Sequence, residues 1–130
     1  MGKRKLIQLA SGTFEEKEGG YIQITFNDYP LINLEEVKKR EQALLEICNH
    51  KPMPFLIDTR SKFIEYSSEA REYMANSRLK EVRSAEIFII TNMGIKILVD
   101  DYIRKNPVKC PVKIFKNEED ALEWIAHFLK

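Results

Sequence analysis

The sequence lacks most of the features that commonly reveal a protein's chemistry. It has two cysteines, Cys48 and Cys110, which are far apart in sequence, and it has neither a CxxC pair nor a cysteine–histidine cluster. A structural zinc site is therefore excluded, and we expect two free thiols. Its two histidines lie near the ends of separate predicted helices, and neither has a serine or cysteine placed to suggest a catalytic triad. No GxSxG, GxGxxG, Walker lysine loop or HExxH motif occurs. We expect no catalytic residues, no metal and no cofactor, and hence a protein that is not an enzyme.

Excess charge and long apolar runs are missing as well. Basic and acidic residues number 21 and 20, so the formal net charge is +1 and gives no general attraction to nucleic acid or to an anionic membrane. The basic start MGKRK is followed by an apolar run too short for a signal peptide. No stretch approaches the roughly 20 apolar residues of a membrane span. We expect a soluble, cytoplasmic protein that binds no nucleic acid.

What the sequence does contain is typical of one globular domain spanning residues 1–130, with 44% hydrophobic and 32% charged residues. LIQLASGTF and YIQITF are predicted strands, and the turn signal EEKEGG joins them as an antiparallel hairpin. Gly19 and Gly20 supply the positive φ that this turn needs. Asn33 then caps a long helix, with Glu36 at the capping-box position, and the helix ends near 49–50, before two prolines.

The second half of the chain alternates strands with helices. PFLIDTR is a buried strand of the parallel type, and a helix starts at Ser67 or Ser68. AEIFIIT is predicted to be the central strand, and the next helix points Ile95, Leu98, Val99, Tyr102 and Ile103 inward. CPVKIF is a further strand, and Asn117 caps the last helix. This order predicts a single-domain α/β fold with four helices and a mostly parallel, mixed sheet of about five strands.

The carboxyl ends of parallel strands form the usual ligand crevice of such a sheet. Two short segments follow the predicted strands at this edge: Asp58, Thr59 and Arg60, and then Thr91, Asn92 and Met93. Together with Glu65, Tyr66 and Glu69, they form a candidate crevice for a partner or ligand. The alternatives are that Asp58 and Arg60 pair with each other and that Thr91 or Asn92 caps the following helix.

The stretch FLIDTRSKFIEYSSEAREYM resembles the signature region of STAS domains, the fold of bacterial anti-sigma factor antagonists. In that family a buried strand ending in Asp leads through a short loop to a serine-bearing helix start. The closing stretch CPVKIFKNEEDALEWIAHFLK is similar to small uncharacterised bacterial proteins described as STAS-like or STAS/CRAL-TRIO-like. In outline the resemblance covers most of the chain after Leu6, and it implies a STAS-like fold.

The resemblance also implies a candidate phosphoacceptor, Ser67 or Ser68, since regulatory STAS domains carry an Asp-Ser-Ser-Gly-like cluster whose serine is phosphorylated. This sequence departs from that cluster, because Glu65 stands for the Asp, Tyr66 is inserted, and Glu69 replaces the glycine. A helix N-terminus favours a phosphate, whereas Glu65 and Glu69 would repel one. Ser67 as a plain helix cap is the alternative.

Two functional hypotheses follow. The first is a STAS-like regulatory module that binds an unidentified protein partner through the start of the second helix and the candidate crevice. The second, which the CRAL-TRIO-like resemblance implies, is a carrier or sensor of a small hydrophobic ligand in a pocket lined by Tyr66, Tyr73, Tyr102 and Trp124. An apolar cavity of at least about 300 Å³ would favour the second. An unpaired edge strand at the N-terminus would also allow a homodimer.

Overall fold

The computed structural model describes residues 4–28, 30–60, 63–105 and 109–130. Two sheets and four α-helices are formed within these ranges. The strands are β1 Leu6–Leu9, β2 Gly12–Lys17, β3 Tyr21–Phe26, β4 Leu31–Ile32, β5 Met53–Asp58, β6 Glu65–Tyr66, β7 Arg83–Ile89 and β8 Val112–Phe115. The helices are α1 Leu34–Cys48, α2 Ser68–Ala75, α3 Met93–Lys105 and α4 Glu118–Phe128, with a 3₁₀ turn at Arg78–Glu81.

The main sheet has six strands in the order β1-β2-β3-β5-β7-β8. The first three strands pair antiparallel, and β3, β5, β7 and β8 pair in parallel. The short strands β4 and β6 form a separate parallel pair. The predicted mixed, mostly parallel α/β architecture with four helices is confirmed. The strand β7 was expected to be central, but it lies second from the β8 edge of the six-stranded sheet, and β3 and β5 are the two middle strands.

The N-terminal part differs from the predicted hairpin. LIQLASGTF does not form one strand but folds into β1 and β2, so the antiparallel part is a three-stranded meander. The expected turn at Gly19 and Gly20 is present, with φ of 103° and 97°. Gly12 begins β2 so close to β3 that a Cβ would lie 2.9 Å from the Cα of Phe26 and would overlap the carbonyl oxygen of Thr25. Only glycine fits there.

The helix caps follow the sequence signals. Asn33, Ser67 and Asn117 each accept a hydrogen bond from the backbone N–H three residues further on, at 2.9, 3.1 and 2.8 Å. Glu36 does not complete the expected capping box, because its carboxylate accepts the backbone N–H of Ser11 at 3.0 Å and so ties α1 to the start of β2.

The helices cover the two faces of the sheet unequally. On one face, α1, α2 and α3 pack over apolar side chains that include Phe14, Ile24, Phe55 and Phe88. On the other face, α4 alone packs over Leu56, Ala85, Ile87 and Ile89 through Ala121 and Ile125. The backbone of α3 approaches its neighbours less closely than that of α1 does. Space is therefore left beneath α3, on the three-helix face.

Candidate functional site

A cavity of about 670 Å³ lies between the three-helix face of the sheet and helices α1, α2 and α3. Its floor is formed by β3, β5 and β7, and its walls by the three helices and by the segment before α2. The lining is mostly apolar: Ile24, Phe26, Val37, Leu44, Phe55, Ile57, Phe63, Ile64, Met74, Leu79, Phe88, Ile95, Leu98 and Val99. Of the four aromatic residues expected to line a pocket, Tyr66, Tyr73 and Tyr102 do so. Trp124 packs on the α4 face instead.

The cavity is open to solvent beside α3. Phe63 and Leu98 both line it, yet they are 65% and 52% exposed. Leu98 was expected to point inward with Ile95 and Val99, but only the latter two are buried. Charged residues also line the cavity, and Glu65, Arg71, Glu72 and Lys105 among them are exposed. The site therefore has an apolar interior and a polar rim.

Arg40 is a buried cation in the wall of the cavity. Its guanidinium donates to the Ser11 hydroxyl at 2.8 Å and lies over the rings of Phe14 and Phe26, at 4.8 and 4.6 Å from their centroids. Burial lowers the pKa of Arg40, and Tyr66 and Glu36 only partly oppose that effect. The two aromatic faces partly replace the water that the guanidinium loses.

Glu41 lies on the same helix and points toward α2. Its two carboxylate oxygens accept hydrogen bonds from the hydroxyls of Tyr73 and Ser77, each at 2.7 Å. Burial opposes ionisation of Glu41, but these two hydrogen bonds and the positive charge of Arg78 hold its pKa below the usual value. Glu41 thus joins α1 to α2 and to the segment after it.

Arg83 and Glu86 form a buried ion pair at the start of β7. Arg83 Nη1 lies 3.1 Å from Glu86 Oε2 and 3.2 Å from the Tyr102 hydroxyl, and the two charged side chains are only 8% and 3% exposed. Burial raises the pKa of Glu86, which the charge of Arg83 only partly offsets. For Arg83, burial is outweighed by Glu86 and Tyr102, so the pKa of its guanidinium is raised. Both side chains line the cavity.

The predicted crevice is occupied by internal contacts. Arg60 binds Asp58 through Nε–Oδ1 and Nη2–Oδ2 contacts of 3.0 and 2.7 Å, and its Nη2 lies 3.4 Å from Glu118 Oε2. The hydrogen bonds and charge of Asp58 raise the pKa of Arg60 despite some burial. Thr59 is buried and lines the cavity, and its hydroxyl donates to the Ile89 carbonyl at 2.8 Å.

The second half of the predicted crevice opens α3. The side chain of Asn92 accepts from the N–H groups of Gly94 and Ile95 at 2.7 and 3.3 Å, which is the capping alternative considered for this position. Thr91, Asn92 and Met93 are exposed and do not line the cavity. The structure therefore separates them from Thr59, Glu65 and Tyr66, which do.

The candidate phosphoacceptors lie at the start of α2. Ser67 is half-buried and its hydroxyl accepts the Ala70 N–H, whereas Ser68 and Glu69 are exposed in the first turn. Glu65 and Tyr66 form β6, which pairs with β4, and both residues line the cavity. Modification of either serine stays a prediction.

Sequence reasoning missed the charged residues inside the cavity. Arg40 lies in the charged run KKREQ, which resembles a solvated helix face, and Glu86 interrupts the otherwise apolar strand AEIFIIT. An acidic residue within a strand buried on both faces was the available signal, since such a group needs a partner.

No cluster of three metal-binding side chains occurs in the described ranges. Within the same ranges, no helix is both long and apolar enough to span a bilayer.

Comparison with solved structures identifies the fold. An uncharacterised protein from the DUF3478 family of Shewanella loihica PV-4, described as having a SpoIIAA-like fold, superimposes with a TM-score of 0.61 at 15% identity. The alignment covers 95% of this chain and 92% of that one. The predicted STAS-like fold is thereby confirmed. A protein with unknown function from Arthrobacter sp. FB24 is 17% identical over 93% of this chain and 97% of that one, with a TM-score of 0.34, too low to support an argument.

Comparison with curated proteins gives no match to this chain. A family model does match, over residues 16–129, which is most of the chain from the end of β2 to the residue after α4. Its description is a domain of unknown function, and the chain belongs to this family, DUF7793.

Proposed function

We propose that this domain is a non-catalytic STAS-like module that holds a small, largely apolar ligand between its sheet and helices α1, α2 and α3. The observation that carries the proposal is the cavity of about 670 Å³. Protein interiors are normally close-packed, with few voids larger than a water molecule. Ligand pockets enclose about 300–1,000 Å³ and have mainly apolar linings with a few polar groups. The cavity fits that description in both size and lining.

The open side of the cavity supports the same proposal. Phe63 and Leu98 line the cavity while more than half exposed, at 65% and 52%. Apolar surface in water is unfavourable by about 25 cal/mol per Å² relative to its buried state. An apolar ligand held against these two side chains would remove their surface from water. The mixed charges of the rim would remain solvated.

A fluorescence titration with Nile red, an uncharged apolar dye, tests the proposal. We expect saturable one-to-one binding to the wild-type protein. Val99 is a buried cavity residue on α3, and Val99→Phe would place a ring in the cavity, so we expect it to weaken binding by about tenfold or more. Leu122→Phe is the matched control, since Leu122 packs on the α4 face.

The control should bind the dye as the wild type does, with both variants folded by circular dichroism. Absence of saturable binding to the wild type would contradict the proposal. Equal loss in Val99→Phe and Leu122→Phe would contradict the location of the site.

A regulatory, protein-binding role is the second candidate, and the outer face of α3 favours it. Met93 and Ile97 are one helical turn apart, are 71% and 62% exposed, and do not line the cavity. Exposed apolar side chains grouped in this way commonly mark protein contacts. We propose that a partner would contact this face together with the start of α2, where phosphorylation of Ser67 or Ser68 would add negative charge.

Intact mass of the natively purified protein under denaturing conditions tests the regulatory role. A covalent phosphate that maps to Ser67 or Ser68 would support it. Unmodified protein, combined with a partner screen in which Ile97→Glu binds as well as the wild type, would contradict it. Homodimerisation through the edge strand β1 stays a prediction, which sedimentation equilibrium would test.

A further inference from the structure

The buried side chain of Arg40 carries an inference about the chemistry of the ligand. Arg40 lies on α1, lines the cavity and is only 7% exposed, so its guanidinium is a cation that has lost nearly all of its water. Burying a charge is costly unless an opposite charge or enough hydrogen bonds compensate it. The groups that surround Arg40 therefore show what the cavity still lacks.

The compensation of Arg40 by the described residues is incomplete. Its Nη1 donates one hydrogen bond to the Ser11 hydroxyl, and the guanidinium lies over the rings of Phe14 and Phe26. Glu36 favours the charged form of Arg40 only from a distance, because its carboxylate accepts the Ser11 N–H instead. Within the described part of the chain, Arg40 thus has no carboxylate in direct contact.

The other buried charged groups that line the cavity have partners of their own. Glu86 is joined to Arg83 at 3.1 Å. Glu41 accepts two hydrogen bonds from hydroxyl groups and lies 3.9 Å from the guanidinium of Arg78. Neither carboxylate is available to Arg40. A negative charge for Arg40 has to come from a molecule that enters the cavity.

Two nitrogen atoms of Arg40 are accessible to such a molecule. Nε and Nη2 make no hydrogen bond with a residue that the structure describes, and neither atom is fully enclosed. The side-chain atoms that are both enclosed and unpaired in the described ranges belong to Arg83 and Glu86 instead. The ring of Phe26, which the guanidinium covers, lines the cavity as Arg40 does. The accessible nitrogens therefore face the cavity.

We propose that the ligand is an amphiphile with a carboxylate at one end, and that Arg40 binds this carboxylate inside the cavity. The Nε–H and Nη2–H groups of an arginine lie side by side and match the two oxygens of a carboxylate. Arg60 binds Asp58 in this protein through the same two atoms, at 3.0 and 2.7 Å. The inference rests on the proposed function, because it names the class of molecule that the same cavity takes.

Uncharged and cationic head groups fit this end of the cavity less well. A carboxamide offers one carbonyl oxygen and no charge, so it would leave the charge of Arg40 uncompensated. An ammonium group would be repelled by the guanidinium and could accept none of its hydrogen bonds. The Tyr66 hydroxyl, which lines the cavity and interacts with Arg40 electrostatically, adds a further donor suited to a carboxylate.

Three ligands with alkyl chains of the same length test the inference: decanoate, decanamide and decylamine, each titrated at neutral pH against the Nile red complex of the wild-type protein. Decanamide matches decanoate closely in shape but carries no charge. We expect decanoate to displace the dye at a concentration about tenfold or more below that of decanamide, because its hydrogen bonds with Arg40 are charge-assisted. Decylamine should be the weakest of the three.

Variants of Arg40 show whether this residue is responsible. Arg40→Met removes the cation and keeps an unbranched side chain, so it should still bind Nile red, and its preference for decanoate over decanamide should fall below about twofold. Arg40→Gln keeps an N–H donor for Ser11, is measured in parallel and should lose the preference as well. Arg71→Met is the matched control, because Arg71 is an exposed cation at the rim of the same cavity. It should keep the wild-type preference.

The outcomes separate this inference from the proposed function. Saturable dye binding to the wild type without a preference for decanoate would overturn the inference and leave the apolar site standing. A preference that survives in a folded Arg40 variant, or that Arg71→Met abolishes, would do the same. Failure of the dye and of all three ligands to bind the folded wild-type protein would overturn both.

Discussion

Removing Arg83 alone should destabilise the fold strongly, because it would leave the buried Glu86 without its cation. The pair is joined at 3.1 Å with side chains only 8% and 3% exposed, so little water reaches either charge. Breaking such a pair by removing one partner typically costs about 3–5 kcal/mol. Glu86 can reduce this penalty by taking a proton. The free energy needed to protonate Glu86 therefore sets an upper limit on the loss of stability.

That limit can be worked out from ordinary values. Protonating a glutamate of unperturbed pKa about 4.3 at pH 7 costs about 3.7 kcal/mol, at about 1.36 kcal/mol per pH unit. We therefore expect Arg83→Met to lower the free energy of unfolding by about 3–4 kcal/mol at pH 7. This loss is a large part of the 5–15 kcal/mol that typically stabilises a domain.

The sign of the pH dependence follows from the raised pKa of Glu86. Burial raises this pKa in the folded protein, and losing Arg83 would raise it further. A carboxyl group with a raised folded pKa destabilises the fold above its unfolded pKa, and this penalty disappears as the pH falls through the folded pKa toward the unfolded value. The deficit of Arg83→Met should therefore shrink to about 1 kcal/mol near pH 5.

Urea denaturation at 25 °C, followed by circular dichroism at several pH values, measures these quantities. The double variant Arg83→Met with Glu86→Leu is the comparison, because it removes both charges and should lie within about 1 kcal/mol of the wild type or be more stable. Two results would refute the claim that Arg83 and Glu86 form a buried ion pair in which each charge needs the other. One is a loss below about 1 kcal/mol in the single variant at pH 7. The other is a double variant that is as unstable as the single one.

Three further predictions concern the rest of the fold. Ser67→Ala should cost about 1 kcal/mol of unfolding free energy by removing the α2 cap, whereas Ser67→Asp should keep the cap; equal losses in thermal unfolding would contradict this. Gly12→Ala should cost several kcal/mol, because its Cβ would meet the Thr25 backbone. Gly94→Ala on α3 should cost less, because its Cβ would meet only the Asn92 side-chain oxygen, at 3.1 Å, and a side chain can shift. Urea denaturation of the two variants tests this difference, and equal losses would contradict it. Glu41→Gln should lower the free energy of unfolding by about 1–2 kcal/mol at pH 7. Because the pKa of Glu41 is lowered in the folded protein, the difference from the wild type should disappear as the pH falls through that pKa. A difference that stays constant down to acid pH in urea denaturation would contradict this.

Local features of the fold were predictable because the interactions behind them are local. The caps at Asn33, Ser67 and Asn117 each depend on one side chain and one backbone N–H three residues away. The turn at Gly19–Gly20 depends on the backbone freedom of the two glycines themselves. Such signals are complete within a few residues of sequence.

Long-range features were not predictable in this way. The chain turns between β1 and β2 after Leu9, and no glycine or proline in β1 signals this turn. Gly12, which begins β2, lies close to the backbone of β3, a contact that is distant in sequence. Helical spacing predicted that Leu98 would face the interior with Val99, but its exposure depends on how far α3 stands from the sheet. No periodic pattern reports that distance.

The candidate site was predictable only in part for the same reason. Thr59, Glu65 and Tyr66 were selected as crevice residues and do line the cavity. Arg83 and Glu86 were not selected, because their roles depend on where β7 meets the end of α3 through Tyr102. Buried ionisable residues within apolar strands are the feature to inspect first in sequences of this type.

The central claim is that the cavity beneath α3 binds an apolar ligand, and intermolecular nuclear Overhauser effects measured on isotope-labelled protein with decanamide test it most directly. The account predicts contacts from the alkyl chain to the Ile95 and Val99 methyl groups and to the Phe88 ring, all of which line the cavity. Contacts confined to exposed Met93 and Ile97, or to Trp124 on the α4 face, would contradict it.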